Sequence, residues 1–308
     1  MSHVPVLTSE IVHYLLHDRS RIVLDGTVGC GGHARAILDA DSGVRLVGVD
    51  TDSDALSAAR EALAPYGPRA LLVKASYTDL PRLAGAWGKF DGALLDLGVS
   101  SLQLDLARRG FSYSREGPLD MRMSGEGETA AEMIGKASEM EVADVLQRYG
   151  EVGRAARIAR AIKRAAAEGR LGTTSDLARA VESALGSGQA PALLGKVFQA
   201  FRIAVNRELD NLRVFLGSIL EHVNPGARLV VVSYHSLEDS AVKEFFRREG
   251  SDCLCPPRTP VCVCGHTAAL EVLTRRVVKP SPAEIAANIR ARSARLRAAR
   301  VVLPAPTE

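Results

Sequence analysis

Apolar residues along the N-terminal third of this chain fall into two alternating patterns. Runs at 22–24, 45–49, 70–74 and 92–97 are short and largely apolar, as strands buried on both faces are. Between them the apolar positions recur at helix spacing, as in 54–63, where Ala55, Leu56, Ala59 and Leu63 share one face. Strand and helix in alternation predict a parallel sheet covered by helices. The alternation then stops, and from about residue 104 to 221 only helical patterns appear, at 130–134, 139–149, 154–168, 175–185 and 194–223. A buried strand follows at 228–233, then a helix at 238–248 and an edge strand at 270–279. The pattern predicts a discontinuous α/β domain, 1–105 with 199–308, interrupted by a helical domain at 106–198.

The first strand runs into Asp25-Gly26-Thr27-Val28-Gly29-Cys30-Gly31-Gly32-His33, and the second ends on Asp50. Glycines at 29, 31 and 32 allow a sharp turn and close approach of backbone to a ligand, and the helix that follows offers unpaired N–H groups. An acid closing the second strand of such a unit is placed to bind a ribose. The glycines lack the G-x-G-x-x-G spacing that seats a pyrophosphate, and Asp25 would repel one. A carboxylate there attracts an ammonium or sulfonium group, which favours S-adenosylmethionine over a nicotinamide dinucleotide.

Two further segments fall at the same carboxyl edge, where open α/β sheets bind ligands. One is Asp96 with Gly98, Ser100 and Ser101 after the fourth strand; the other is Ser233-Tyr234-His235-Ser236-Leu237-Glu238-Asp239 after the fifth. Ser236 reads as a helix cap with Asp239 three residues on, whereas His235 has no such structural assignment.

Composition narrows the class. The 308 residues are 46% hydrophobic with a formal charge of +3, and no apolar run is long enough to span a bilayer. No signal-peptide pattern opens the chain, so a cytoplasmic protein is expected. The charge is uneven. Arg154, Arg157, Arg160, Lys163, Arg164 and Arg170 cluster on one predicted helix, and 275–300 holds eight basic residues against one acid, Glu284. Both segments read either as solvated faces or as phosphate-binding surfaces for RNA.

Four of the five cysteines, Cys253, Cys255, Cys262 and Cys264, lie within twelve residues. A cytoplasmic setting disfavours disulfides. The cluster reads either as a structural zinc site, though its C-x-C pairs are tighter than usual, or as reduced thiols packing a loop.

Taken together, the motifs resemble those of the bacterial ribosomal RNA small subunit methyltransferase H, or MraW, family along nearly the whole chain. The resemblance rests on Asp25-Gly26-Thr27 with Gly29 and Gly31-Gly32-His33, on Leu95-Asp96-Leu97-Gly98-Val99-Ser100-Ser101 with Gln103, and on Gly117-Pro118-Leu119-Asp120-Met121-Arg122-Met123. It continues through Phe198-Gln199-Ala200, His235-Ser236-Leu237-Glu238-Asp239 and Arg290-Ala291-Arg292-Ser293-Ala294. Ile289 departs from the family's usual proline. The resemblance implies a class I, Rossmann-like S-adenosylmethionine-dependent methyltransferase fold with an inserted helical domain for substrate recognition. It implies methylation of the exocyclic N4 of a cytidine in the decoding region of 16S ribosomal RNA, either free or in the small subunit. By motif, Gly31, Gly32, His33, Asp50, Tyr77, Asp96 and Gln103 are the expected cofactor contacts.

An amino-group acceptor needs its N–H groups held and one proton taken. Asp96 and His235 are the candidates, with Asp120 in reserve. The remaining alternative is a non-enzymatic RNA-binding ribosome-assembly factor, which would keep the basic segments but would not need an intact cofactor loop.

Overall fold

The computed structural model describes residues 5–186, 190–256, 259 and 261–302, with the side chains of 190–192 left aside. It contains two compact units, one formed by residues up to Gly98 and from Asp210 onward, the other by Val99–Leu209. The helical unit is thus wider at both ends than 106–198.

The first unit is built on a seven-stranded sheet. Its strands are β1 (Ile22–Asp25), β2 (Arg45–Asp50), β3 (Ala70–Lys74), β4 (Phe90–Asp96), β5 (Val223–Ser233), β6 (Leu270–Val272) and β7 (Arg295–Val301). They lie in the order β3-β2-β1-β4-β5-β7-β6, parallel from β3 to β5 and antiparallel where β7 meets β5 and β6. This is the doubly wound α/β arrangement expected. In register Asp25 sits between Gly48 and Leu94, so β1, β2 and β4 all end in an aspartate at one edge.

Side chains alternate across the sheet and supply a core on each face. Leu24, Val47, Leu95 and Val231 pack with Phe90, Phe215 and Phe246 on one side. Val23, Leu46, Leu94 and Val230 pack with Ile37, Leu38 and Leu56 on the other. Each such side chain, fully buried, contributes about 1.5–3 kcal/mol of transfer free energy. The rigid sheet therefore holds its edge loops in fixed positions.

Three expectations change. The run at 270–279 forms a strand only over Leu270–Val272. The basic stretch near 295 is the strand β7, in which Leu296, Ala298, Ala299 and Val301 are buried. Its small alanines between arginines conceal the alternation that marks a strand. Finally, the helical pattern at 194–223 divides into Ala190–Asn206 and Glu208–Ser218, broken where Arg207 takes φ 50°.

The helical unit has its own core of Leu146, Ile158, Ile162, Val181 and Phe201. Helix Ala155–Ala167 buries Ile158, Ala159 and Ile162, leaving Arg157, Arg160 and Arg164 exposed. Lys163 is turned inward, donating to the carbonyls of Ile134 and Gly135 at 2.8 and 2.9 Å. No helix among the described residues is long and apolar enough to cross a membrane.

Candidate cofactor site at the carboxyl edge of the sheet

The loop after β1 is shaped by what surrounds it. Gly26 lies so close to β4 and the segment after β3 that an added Cβ would fall 2.4 Å from Leu95 and 2.9 Å from the Tyr77 Cβ. Gly31, at φ 86°, turns the chain directly into helix Gly32–Ala40. The early N–H groups of such a helix lack intrahelical partners and favour an anion.

Asp25 is 1% exposed. Its Oδ1 accepts a hydrogen bond from the Thr27 N–H at 3.2 Å, while its buried Oδ2 has no hydrogen-bond partner. Burial pushes its carboxyl up to about 7, with His33 acting in the opposite sense and Asp96 and Asp50 reinforcing the rise. Asp50 binds the loop itself: its Oδ2 accepts from the Gly29 N–H and its Oδ1 from the Asp52 N–H, both at 2.9 Å. Burial raises its pKa too, against those bonds.

Asp96 ties three loops together. Its backbone N–H donates to Thr27 Oγ1 at 2.7 Å, its Oδ1 accepts from the Tyr234 hydroxyl at 2.9 Å, and its Oδ2 lies 3.2 Å from His33 Nε2. Burial opposes a charge on His33, but Asp96 and Asp25 carry its pKa upward. Burial and Asp96 raise the Tyr234 phenol, so it remains a donor. Tyr234 was not among the expected site residues. Its one sequence signal is position, the first residue beyond β5 at the ligand-binding edge.

His235 has the structural assignment expected for Ser236. It caps helix Ser236–Glu249, its Nδ1 accepting from the Glu238 N–H at 3.4 Å, and its Nε2 stands 3.1 Å from Glu238 Oε1. Nδ1 as acceptor places the ring hydrogen on Nε2. Glu238 Oε2 in turn accepts from the Tyr234 N–H at 2.9 Å, so the cap also fixes the tyrosine's backbone. Asp239 does not complete a serine cap either; it pairs with Arg297 at 2.6 Å and Arg295 at 3.3 Å. Although burial opposes it, those arginines hold its carboxyl below the usual range. Two arginines of the expected basic tail thus serve the sheet.

The other expected residues are distributed as follows. Gly32 begins the helix that buries His33, and Tyr77 meets Phe215 edge to face at 5.7 Å. Gln103 is a buried residue of the helical unit, where its Oε1 accepts from the Ser100 N–H at 3.0 Å in a capping box. Asp120, in the same unit, is held by both arms of Arg122 at 2.8 Å. Cys253, Cys255, Cys262 and Cys264 converge on one another in the loop before β6.

The MraW methylase family model matches residues 1–302. The chain belongs to this family. Among its relatives is the ribosomal RNA small subunit methyltransferase H of Oleidesulfovibrio alaskensis, 46% identical over 309 residues, covering 97% of this chain and 94% of the relative. The protein of the same name from Syntrophotalea carbinolica is also 46% identical, with 97% of each chain covered. That from Anaeromyxobacter is 44% identical, with 96% of each covered.

The site suits the cofactor of a methylase of this kind. S-adenosylmethionine carries two cationic centres, a ribose diol, an adenine ring and a carboxylate. The buried, unpartnered oxygen of Asp25 is a ready acceptor for a cation, Asp50 closes β2 where a ribose is bound in such folds, and the helix starting at Gly32 favours the carboxylate.

Proposed function

We propose that this chain is an S-adenosylmethionine-dependent rRNA (cytosine-N4-)-methyltransferase acting on the decoding region of 16S ribosomal RNA. The observation that carries this reading is the set of aspartates 25, 50 and 96 at one sheet edge, with a buried acceptor on Asp25 and Asp96 gripped by His33 and Tyr234, in a chain of a methylase family.

Gly31, Gly32, His33, Asp50, Tyr77 and Asp96 are the proposed cofactor contacts in the sheet unit, with Asp25 facing a cationic centre through its buried oxygen. Gln103 is proposed as a cofactor contact on the family motif alone. When bound, the cofactor supplies a methyl group on a cationic sulfur; the amino nitrogen's lone pair forms the new C–N bond, the C–S pair stays with sulfur, and one N–H proton leaves. Orientation of this kind can be worth about 7–11 kcal/mol. Asp96 is the proton acceptor in this proposal. Its two carboxylate oxygens retain accepting capacity beyond Tyr234 and His33, which fix its direction. His235, expected to share that task, acts here as a positioning residue through the helix cap and the Glu238 contact that holds Tyr234.

The helical unit is proposed to recognise RNA, with Arg157 and Arg164 on its exposed basic helix. The substrate is either free 16S RNA or the assembled small subunit, in the cytoplasm. Mass mapping of methylated nucleosides in 16S RNA from cells with and without the gene tests the proposal. Loss of one N4-methylcytidine is expected; loss of a different mark, or of none, would refute it. Comparing naked RNA with purified small subunits in vitro distinguishes the two substrates.

A further inference from the structure

The loop between helix Ser236–Glu249 and β6 has no part in the chemistry above, yet its sulfurs form a definite figure. Cys253 and Cys262 Sγ are 3.4 Å apart, Cys262 and Cys264 3.5 Å, Cys264 and Cys253 3.8 Å, and Cys255 and Cys262 4.0 Å. All four lie within 4.8 Å of one another. A zinc ion with four thiolates at about 2.3 Å in a tetrahedron sets its sulfurs about 3.8 Å apart, the edge of that tetrahedron. The observed separations bracket this value. They are also too long for bonded sulfurs, and all four cysteines are free.

The rest of the loop is arranged around the same point. Backbone N–H groups donate to the sulfurs, Leu254 to Cys264 at 3.3 Å, Cys255 to Cys253 and Val263 to Cys255 at 3.4 Å. Such bonds stabilise thiolates and orient them as ligands. The apolar residues, in contrast, face water: Leu254 is 44% exposed, Val261 72% and Val263 82%. The cysteines are no better covered, three being exposed and Cys255 half-buried. Apolar packing therefore does not account for the convergence of the four sulfurs, whereas a shared metal would.

We propose that Cys253, Cys255, Cys262 and Cys264 bind one zinc ion in a closed, structural site. Four sulfur ligands leave no open position for a substrate or water, so the ion's work is to fold the loop. His266 lies outside the group of converging ligand atoms, and its Nε2 is 3.1 Å from the carbonyl oxygen of Arg248. That contact and the Ala269 N–H bond to Glu249 O at 2.7 Å moor the loop to the helix end and to the entry of β6. The ion thereby stiffens the crossing from the Asp239 helix to the antiparallel edge of the sheet.

The test uses the untagged full chain, purified under reducing conditions without chelator and analysed for metals by mass spectrometry. About one zinc per chain is expected. The four thiols should resist alkylation until a chelator is added, and cobalt substitution should produce the intense visible bands of tetrahedral thiolate coordination. Cys253→Ser and Cys264→Ser should each lose most of the zinc and expose 253–264 to protease, while Cys30→Ser keeps it. Calorimetry with S-adenosylmethionine checks that the variants remain folded, and the metal, alkylation and cobalt measurements on the unaltered chain decide the matter even if they do not. Zinc-free protein with four freely alkylated thiols, iron in place of zinc, or two disulfides in the reduced preparation would overturn the proposal.

Discussion

Tyr234 donates its hydroxyl hydrogen to Asp96 Oδ1 across 2.9 Å, linking the residue beyond β5 to the last residue of β4. Hydrogen bonds to charged groups contribute about 1.5–3 kcal/mol. Tyr234→Phe keeps the ring and removes that bond alone. It should lower the single-turnover methylation rate about ten- to a hundredfold, with a smaller effect on melting temperature. An unchanged rate would show that Asp96 needs no such alignment.

Asp25 should make cofactor affinity depend on pH. Its carboxyl is raised to about 7, chiefly by burial, so below that pH it is mostly protonated. A cation placed against it favours ionisation, and binding must then release a proton. Affinity for S-adenosylmethionine should strengthen as pH rises from about 6 to about 8, and calorimetry in buffers of different ionisation enthalpy should register the proton. Asp25→Asn should abolish both the slope and the release.

Stability should run the other way. Between the unfolded carboxylate value and about 7 the folded state holds a proton on Asp25 that the unfolded chain does not, so stability falls as pH rises through that window. The raised His33 adds to the trend, since its stabilisation is full below the unfolded histidine value and is lost as pH passes through the folded one. The Asp25 contribution is on the order of 4 kcal/mol at its upper limit. Denaturant titrations should find the ligand-free protein less stable at alkaline pH, and Asp25→Asn should flatten the curve.

His235 offers a way to tell a cap from a base. His235→Ala removes the helix cap and should cost about 1 kcal/mol, whereas His235→Asn supplies another capping oxygen and should recover most of it. If His235 only positions, the Asn variant also recovers methylation. If both variants are stable yet equally inactive, the ring itself meets the substrate.

Arg157 and Arg164 are exposed on the basic helix of the helical unit. If they meet phosphates, the double Ala variant should flatten the plot of log binding constant against log salt by about 1.4–1.8, with little change in cofactor affinity. Filter binding at several salt concentrations measures this, and an unaltered slope would remove both residues from the RNA surface.

Much of the sheet could be read in advance because β1 to β4 are nearly continuous apolar runs between amphipathic helices, a pattern with few other solutions. β7 escaped because its buried alanines are too small to register as core and its arginines suggest a surface, although Arg297 is 13% exposed in its pair with Asp239. The start of β5 was obscured by Pro225 and Gly226, where the pairing with β4 shifts from Phe90 with Val223 to Gly92 with Arg228. In the site, glycines and strand-end aspartates announce themselves by position. The bond from Tyr234 to Asp96 spans 138 residues and depends on sheet order, which no local spacing encodes. The capping roles of His235 and Gln103 were hidden for a different reason, since histidine and glutamine are less usual in those tasks than serine or aspartate.

The place of β7 between β5 and β6 bears on how the protein is made. Its residues are synthesised after every other strand of the sheet, so a nascent chain halted before Arg295 presents β5 with an open backbone edge and Asp239 without its arginines. Unpaired edges of that kind recruit strands from other molecules. Premature termination should therefore yield aggregating fragments rather than a weakened enzyme, and the competent sheet closes only once translation has passed its final strand.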